Sequence, residues 1–187
     1  MAITQPPALE IKFAAADLSG VDGEGVFSGY ASLFGAADLS GDLVMPGAFR
    51  RSLARRGAAG IRMLYQHDPA EPIGVWMEIR EDPRGLFVRG RLMADVARGR
   101  EVASLMRAGA LDGLSIGFKT VKARPDRVAG IRRLVEIDLW EISVVTFPMQ
   151  PDARVSSVKT SGLAAKMRRA ARSLHPTSLS LHRRISR

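Results

Sequence analysis

The residues of this chain best suited to chemistry are a serine, a histidine and two carboxylates. Ser115 lies between two glycines in Gly113-Leu114-Ser115-Ile116-Gly117-Phe118. A serine hydroxyl is a weak nucleophile until a base takes its proton. Before the last thirteen residues the chain has one histidine, His67, in Gln66-His67-Asp68-Pro69. An imidazole at a strand end can accept and return a proton near neutral pH. A lone loop histidine with no task is, however, the commoner case. Asp138 and Glu141 lie in the run Glu136-Ile137-Asp138-Leu139-Trp140-Glu141-Ile142-Ser143-Val144-Val145. An ionised Glu141 among these apolar neighbours needs a partner. An imidazolium would serve, and the carboxylate would then hold the ring's tautomer. An arginine, or an exposed strand edge, is an equal alternative. Asp138 precedes Glu141 by three residues, so a regular strand turns it to the opposite face. One of the two, not both, is therefore expected to act.

The elements that must position these groups read as mainly β. Leu9, Ile11 and Phe13 alternate with polar residues, the period of a half-buried strand. Further strands are predicted over 26–34, 61–65, 73–79, 86–92, 114–121 and 132–147, with Gly29 a candidate bulge. Glu81-Asp82-Pro83-Arg84-Gly85 has hairpin-turn chemistry. Residues 39–44 read as a Gly/Asp-rich loop, and 122–130 as a polar excursion. Pro46 fits the first position of a short helix that Gly57 ends, with Arg50, Arg51, Arg55 and Arg56 outside. Asp95 is an expected N-cap for a second helix over 96–108, and Gly109 its C′ residue. Seven short strands and two helices, without βαβ alternation, point to a closed or nearly closed antiparallel β-barrel flanked by helices.

This reading rejects one tempting assignment. Gly-x-Ser-x-Gly matches the nucleophile elbow of α/β-hydrolases, but that elbow runs strand–turn–helix, whereas here a helix precedes and a strand follows. The hydrolase order also requires a histidine after the serine, and only His175 and His182 follow.

Composition narrows the classes further. With 187 residues, 46% hydrophobic and 25% charged, the chain suits one globular domain with tails. It has no cysteine, hence no disulfide or thiolate chemistry. No cofactor or metal is expected, and no signal peptide or membrane-spanning run is visible. Eight of the nine net positive charges fall after residue 158, where no acidic residue occurs. The boundaries expected are a loose 1–8, a folded 9–158 and a basic tail 159–187. Such a tail either contacts nucleic acid and other acidic surfaces or is simply solvated. A nucleic-acid-binding barrel is disfavoured, because aromatics are only 6% and do not interleave with basic residues in the body.

Three blocks together carry a family resemblance: Gln66-His67-Asp68, Leu111-Asp112-Gly113-Leu114-Ser115-Ile116-Gly117-Phe118, and Leu139-Trp140-Glu141-Ile142-Ser143-Val144-Val145-Thr146-x-Pro148. They resemble the blocks of the prohead (capsid-maturation) serine proteases of tailed phages, distant relatives of the herpesvirus assemblins. Gly29-Tyr30-Ala31-Ser32-Leu33-Phe34, Gly41-Asp42 and Pro46-Gly47-Ala48-Phe49 add to the match, which covers roughly residues 10–158. The resemblance implies a β-barrel serine endopeptidase with Ser115 as nucleophile, His67 as general base and acid, and Glu141 as third member, Asp138 being the fallback. Backbone amides near Ser115 or within 122–132 are the candidate oxyanion donors. The implied substrates are the scaffolding segment of the major capsid protein, or a separate scaffold, and the enzyme itself. The implied place is the immature capsid in the bacterial host cytoplasm, and the carrier a phage, prophage or gene transfer agent. Assemblins are activated by dimerisation, which makes a homodimer one expectation. The competing class is a catalytically silent assembly module of the same fold. If the tail targets the enzyme to particles, deleting residues 162–187 lowers incorporation into proheads more than peptidase activity; the reverse result in a co-expression assay overturns that role.

Overall fold

The computed structural model describes residues 10–15, 21, 23–38 and 40–147. The segments expected to be a loose N-terminus and a basic tail lie outside them. Eight strands and two helices follow in the order β1 (Glu10–Ala15), β2 (Val26–Leu33), β3 (Asp42–Val44), α1 (Arg50–Arg56), β4 (Arg62–Tyr65), β5 (Asp68–Glu81), β6 (Gly85–Leu92), α2 (Ala97–Arg107), β7 (Gly113–Asp126) and β8 (Ile131–Val145). The fold is mainly β, as expected. One sheet runs β1-β7-β8-β4-β5-β6-β2 and curls until its two end strands touch, with no ladder between them among the described residues.

The sheet is not wholly antiparallel. Both β3 and β4 run parallel to β8, and this organises the molecule. One edge of β8 pairs with β7 along almost its whole length. The other edge is covered in sequence by three different elements. β3 pairs with 132–134, and β4 pairs with 141–144. Between them the N-terminal part of α1 and its approach take over. The Ile137 N–H donates to Ala48 O at 3.1 Å, and the Leu139 N–H donates to Ser52 Oγ at 2.8 Å. No long stretch of this buried edge is left to water.

The core lies on one face of that arrangement. Leu114, Ile116 and Phe118 of β7 meet Leu139, Ile142 and Val144 of β8, all fully buried. α2 presents Gly99, Val102, Ala103 and Met106 to the sheet, the spacing of one helical face. A Cβ at Gly99 would lie 2.4 Å from Met93 O, so only glycine allows this approach.

Several local expectations change. Asp95 does not cap α2; Val96 is the N-cap and no side chain bonds there, because Met93–Val96 already forms a turn closed by the Val96 N–H. Gly109 does take a positive φ of 73° after the helix. α1 starts later than Pro46, since Gly47 sits at φ 88°. Its leading amides are instead received by Glu81 of β5, which accepts from Gly47 N–H at 3.0 Å and Phe49 N–H at 2.7 Å. The bulge in β2 falls at Ala31 rather than Gly29. Residues 42–44, expected in a loop, form β3 because Arg132 grips buried Asp42 through two bonds of 2.7 and 2.6 Å. Residues 122–126 are no excursion; they extend β7 to a turn at 127–130. The Asp82 carboxylate forms the expected hairpin turn, accepting from the Arg84 and Gly85 N–H groups and from Tyr30 OH.

Asp138 ties α1 to β8. It receives Arg56 through two bonds of 3.1 Å, the Trp140 indole at 3.0 Å, and Arg55. Burial pushes its pKa up, but the hydrogen bonds and charges of Arg56 and Arg55 outweigh that and hold it below the ordinary carboxylate value. A carboxyl depressed in the fold adds stability above its unfolded pKa, about 3.9, and loses it as pH falls through the folded value. Asp138→Asn should therefore cost about 1–3 kcal/mol at pH 7. Thermal melts at pH 7 and below pH 4 check this, the gap from the parent protein closing at the acid end.

Candidate active site

The site is assembled on β8 from its two neighbours. On the β7 side, Ser115 pairs with Ser143 and Gly117 with Glu141. Residues two apart share a face of a strand, so these four lie together on the face opposite the apolar core. On the β4 side, Leu64 pairs with Ser143 and Tyr65 with Val144. The chain then turns sharply, with Tyr65 and Asp68 paired across Gln66-His67. Both turn residues have positive φ, 52° and 62°, as a two-residue type I′ hairpin requires. Asn-Gly is the usual sequence for that turn, and a longer side chain there costs free energy that the surroundings must offset.

The offset comes from contacts with the end of β8. The Gln66 N–H donates to Val144 O at 3.0 Å, and the Gln66 side-chain amide bonds Thr146 Oγ1 at 2.5 Å. The His67 N–H donates to Ser143 Oγ at 3.1 Å. The turn is thus pinned, and the ring of His67 is carried back over β8. Its Nδ1 lies 2.7 Å from Glu141 Oε1. The other carboxylate oxygen, Oε2, accepts from Ser143 Oγ at 2.6 Å. Glu141 is 4% exposed and Ser115 and Ser143 are fully buried. The carboxylate, expected to need one partner, has two, the His67 ring and the Ser143 hydroxyl.

An irregularity in β8 makes the geometry possible. Gly117 pairs with Glu141 but Phe118 pairs with Leu139, so Trp140 is an extra residue in the ladder. The bulge lets Leu139 enter the core while Glu141 stays on the serine face. It also overturns the expectation about Asp138. The partner of Asp138 is Lys119, which puts Asp138 on the same face as Glu141 rather than the opposite one. Asp138 is nonetheless held by α1 and not by His67. Trp140 itself is half-exposed between Arg56 and Lys119, each 4.5 Å from its ring centre.

Of the candidate oxyanion donors, those in 122–126 lie well along the sheet from Ser115. Residues 122–126 continue β7 and pair with β8, beginning seven residues beyond Ser115. At ~3.3 Å per residue that is about 23 Å away. Sequence reasoning missed Ser143, which has no motif of its own; only the register opposite Ser115 would have shown it.

A buried serine next to an imidazole–carboxylate pair is the set of groups from which acyl-transfer sites of serine hydrolases are built. Ser115 Oγ and His67 Nε2 are not hydrogen-bonded to each other in this structure. The curled sheet is similar to that of the capsid assembly protease of bacteriophage T4, with a TM-score of 0.60 over 77% of this chain and all of that one, at 16% identity. In sequence the chain is 35% identical to the prohead protease of Enterobacteria phage HK97, over 81% of its own length and 65% of that protein's. It is 25% identical to the prohead protease of Escherichia phage T5, over 83% and 73%. The chain thus spans just under two thirds of the first of these relatives and under three quarters of the second. The sequence model of the Caudovirus prohead serine proteases matches residues 10–168, and the chain belongs to that family.

The His67–Glu141 contact can be tested apart from any activity. Residues in direct contact through a buried pair couple by about 0.5–3 kcal/mol. A thermal-melt cycle of His67→Ala, Glu141→Ala and the double variant should show coupling in that range; additive losses would mean the contact is not formed in solution.

Proposed function

We propose that this protein is a serine endopeptidase of prohead maturation, with Ser115 as nucleophile, His67 as general base and acid, and Glu141 orienting His67. The observation that carries the reading is the 2.7 Å contact between His67 Nδ1 and Glu141, made beside the strand that bears Ser115, in a chain of this family. The contact fixes the tautomer: Nδ1 bears the proton given to the carboxylate, leaving Nε2 as the basic atom. Nε2 takes the Ser115 proton as Oγ attacks a peptide carbonyl carbon. The tetrahedral intermediate collapses when the same nitrogen protonates the departing amine, leaving an acyl-serine. A water, deprotonated by His67, attacks the ester, and its proton returns to Ser115. In apo structures such hydrogen bonds are often long and tighten only around substrate, which accommodates the Ser115–His67 separation.

The substrates proposed are the scaffolding segment of the major capsid protein, or a separate scaffold, and the protease chain itself. The names of the relatives support a role in capsid assembly. The place of action is the immature capsid inside the host cell. No helix among the described residues is long and apolar enough to cross a membrane.

Co-expression with the capsid protein tests this. Ser115→Ala and His67→Ala should each abolish capsid-protein processing and self-cleavage, and Glu141→Gln should slow them by about 10²-fold or more. Asp138→Asn should leave the rate near that of the parent once folding is matched. Processing by Ser115→Ala at the parent rate would overturn Ser115 as nucleophile and the protease reading with it; loss in Asp138→Asn with Glu141→Gln unaffected would move the third role to Asp138.

A further inference from the structure

Glu141 is an unusual residue to find in the middle of an apolar strand, and its side chain does not extend away from the sheet. It lies across the neighbouring strand. A Cβ built on Gly117 would fall 2.0 Å from Glu141 Oε1, 2.8 Å from its carboxyl carbon and 2.9 Å from Cγ. All three distances are below any contact a real Cβ makes. The carboxylate therefore occupies the volume that any other residue at 117 would fill. Gly117 has no positive φ to explain it. Its lack of a side chain is a matter of space, and the space is taken by the group that contacts His67.

Ser143 completes the cradle from the other side. Its hydroxyl has one proton, and the 2.6 Å contact gives that proton to Glu141 Oε2. An oxygen lone pair then accepts the His67 N–H at 3.1 Å. One hydroxyl thus joins the carboxylate to the backbone of the residue whose ring that carboxylate holds. Glu141 Oε1 meets the His67 ring and Oε2 meets Ser143, so each oxygen has one fixed partner.

We propose that Gly117 and Ser143 are positioning residues for the His67–Glu141 pair: Gly117 by leaving the volume the carboxylate occupies, Ser143 by clamping its second oxygen to the turn that carries His67. Gly117 acts through Glu141, and Ser143 through Glu141 and the His67 N–H. This rests on the triad reading above. It also gives the second glycine of Gly-Leu-Ser-Ile-Gly a role unrelated to a nucleophile elbow.

A cycle separates this from general damage to the sheet. Purified full-length variants are incubated with capsid protein, and the first-order rate of processing is measured, with thermal melts alongside. Gly117→Ala should slow processing by about 10²-fold or more, since loss of the orienting carboxylate costs up to about 10⁴ in serine proteases. In a Glu141→Ala background, where nothing is left to displace, adding Gly117→Ala should change the rate by less than about threefold, because coupled sites are non-additive. Ser143→Ala should also slow the parent, and slow it more than it slows the Glu141→Ala protein, where only its bond to the His67 N–H is left to lose. Should Gly117→Ala fail to fold, the Ser143→Ala cycle decides. Equal losses in both backgrounds, or a parent-like rate for the folded single variants, overturn the proposal. The Ser115→Ala control keeps the two failures apart: a Ser115→Ala protein that still cleaves ends the triad reading itself, whereas a silent Ser115→Ala beside an active Gly117→Ala ends only the positioning role.

Discussion

The molecule depends on keeping both edges of one long strand hydrogen-bonded while its two faces do different work. β8 is buried over most of its length, and an unpaired amide there would cost roughly 1–3 kcal/mol. β7 satisfies one edge. The other needs β3, α1 and β4 in turn, three short elements from a stretch of chain that could each make only a few bonds. The requirement brings Ser115 and His67 to the same strand from opposite sides. β7 delivers Ser115 by ladder register, and the parallel pairing of β4 delivers the turn that bears His67. A meander of antiparallel hairpins would have had no reason to put them there.

Within this frame the buried carboxylate of Glu141 is the second constraint. It must have partners, and the nearest available groups are an imidazole nitrogen and a serine hydroxyl. Three of the four arginines of α1 are engaged elsewhere. Arg55 and Arg56 hold Asp138, and Arg51 reaches Glu136 at 3.3 Å. The two acids singled out in the sequence are thereby sorted by what surrounds them. Asp138 is matched to guanidinium groups and fastens a helix; Glu141 is matched to a ring that can gain or lose a proton. The sorting is set by which element crosses β8 at each point, α1 at 137–139 and the β4–β5 turn beyond 141.

Much of the architecture was legible in the sequence, because alternation, turn residues and helix punctuation report local physics. Seven of the eight strands, both helices and the apolar side of β7 follow from such patterns. The exposed need of Glu141 for a partner was also legible, from Leu139, Trp140, Ile142 and Val144 beside it. What the sequence could not show is register. A one-residue bulge at Trp140 reverses the facing of the residues just before it, so the parity argument that separates Asp138 from Glu141 fails. Gln66-His67 does not look like a type I′ turn, because the residues that favour positive φ are absent and the tertiary contacts of Gln66 and His67 supply the stabilisation instead. β3 was missed because three residues with a buried aspartate have no strand pattern until Arg132 is in place opposite.

These departures have a common location. The positive-φ turn, the strand bulge, the glycine without room for a side chain and the buried carboxylate all fall within one patch of β7, β8 and the β4–β5 turn. Each is locally unfavourable, and together they would weaken an isolated sheet. They persist because the reverse face of the same strands is as well packed as any part of the molecule, with Leu114, Ile116, Phe118, Leu139, Ile142 and Val144 all excluded from solvent. Burying side chains of this size stabilises by about 1.5–3 kcal/mol apiece, enough to outweigh strain of about 1–3 kcal/mol per unfavourable feature. The division is strict because strands alternate: the residues that stabilise β7 and β8 and the residues that would do chemistry on them are neighbours in sequence and sit back to back across the sheet. A substitution at 114 or 116 therefore reaches the other face only through the fold, whereas one at 115 or 117 changes the face that carries Glu141.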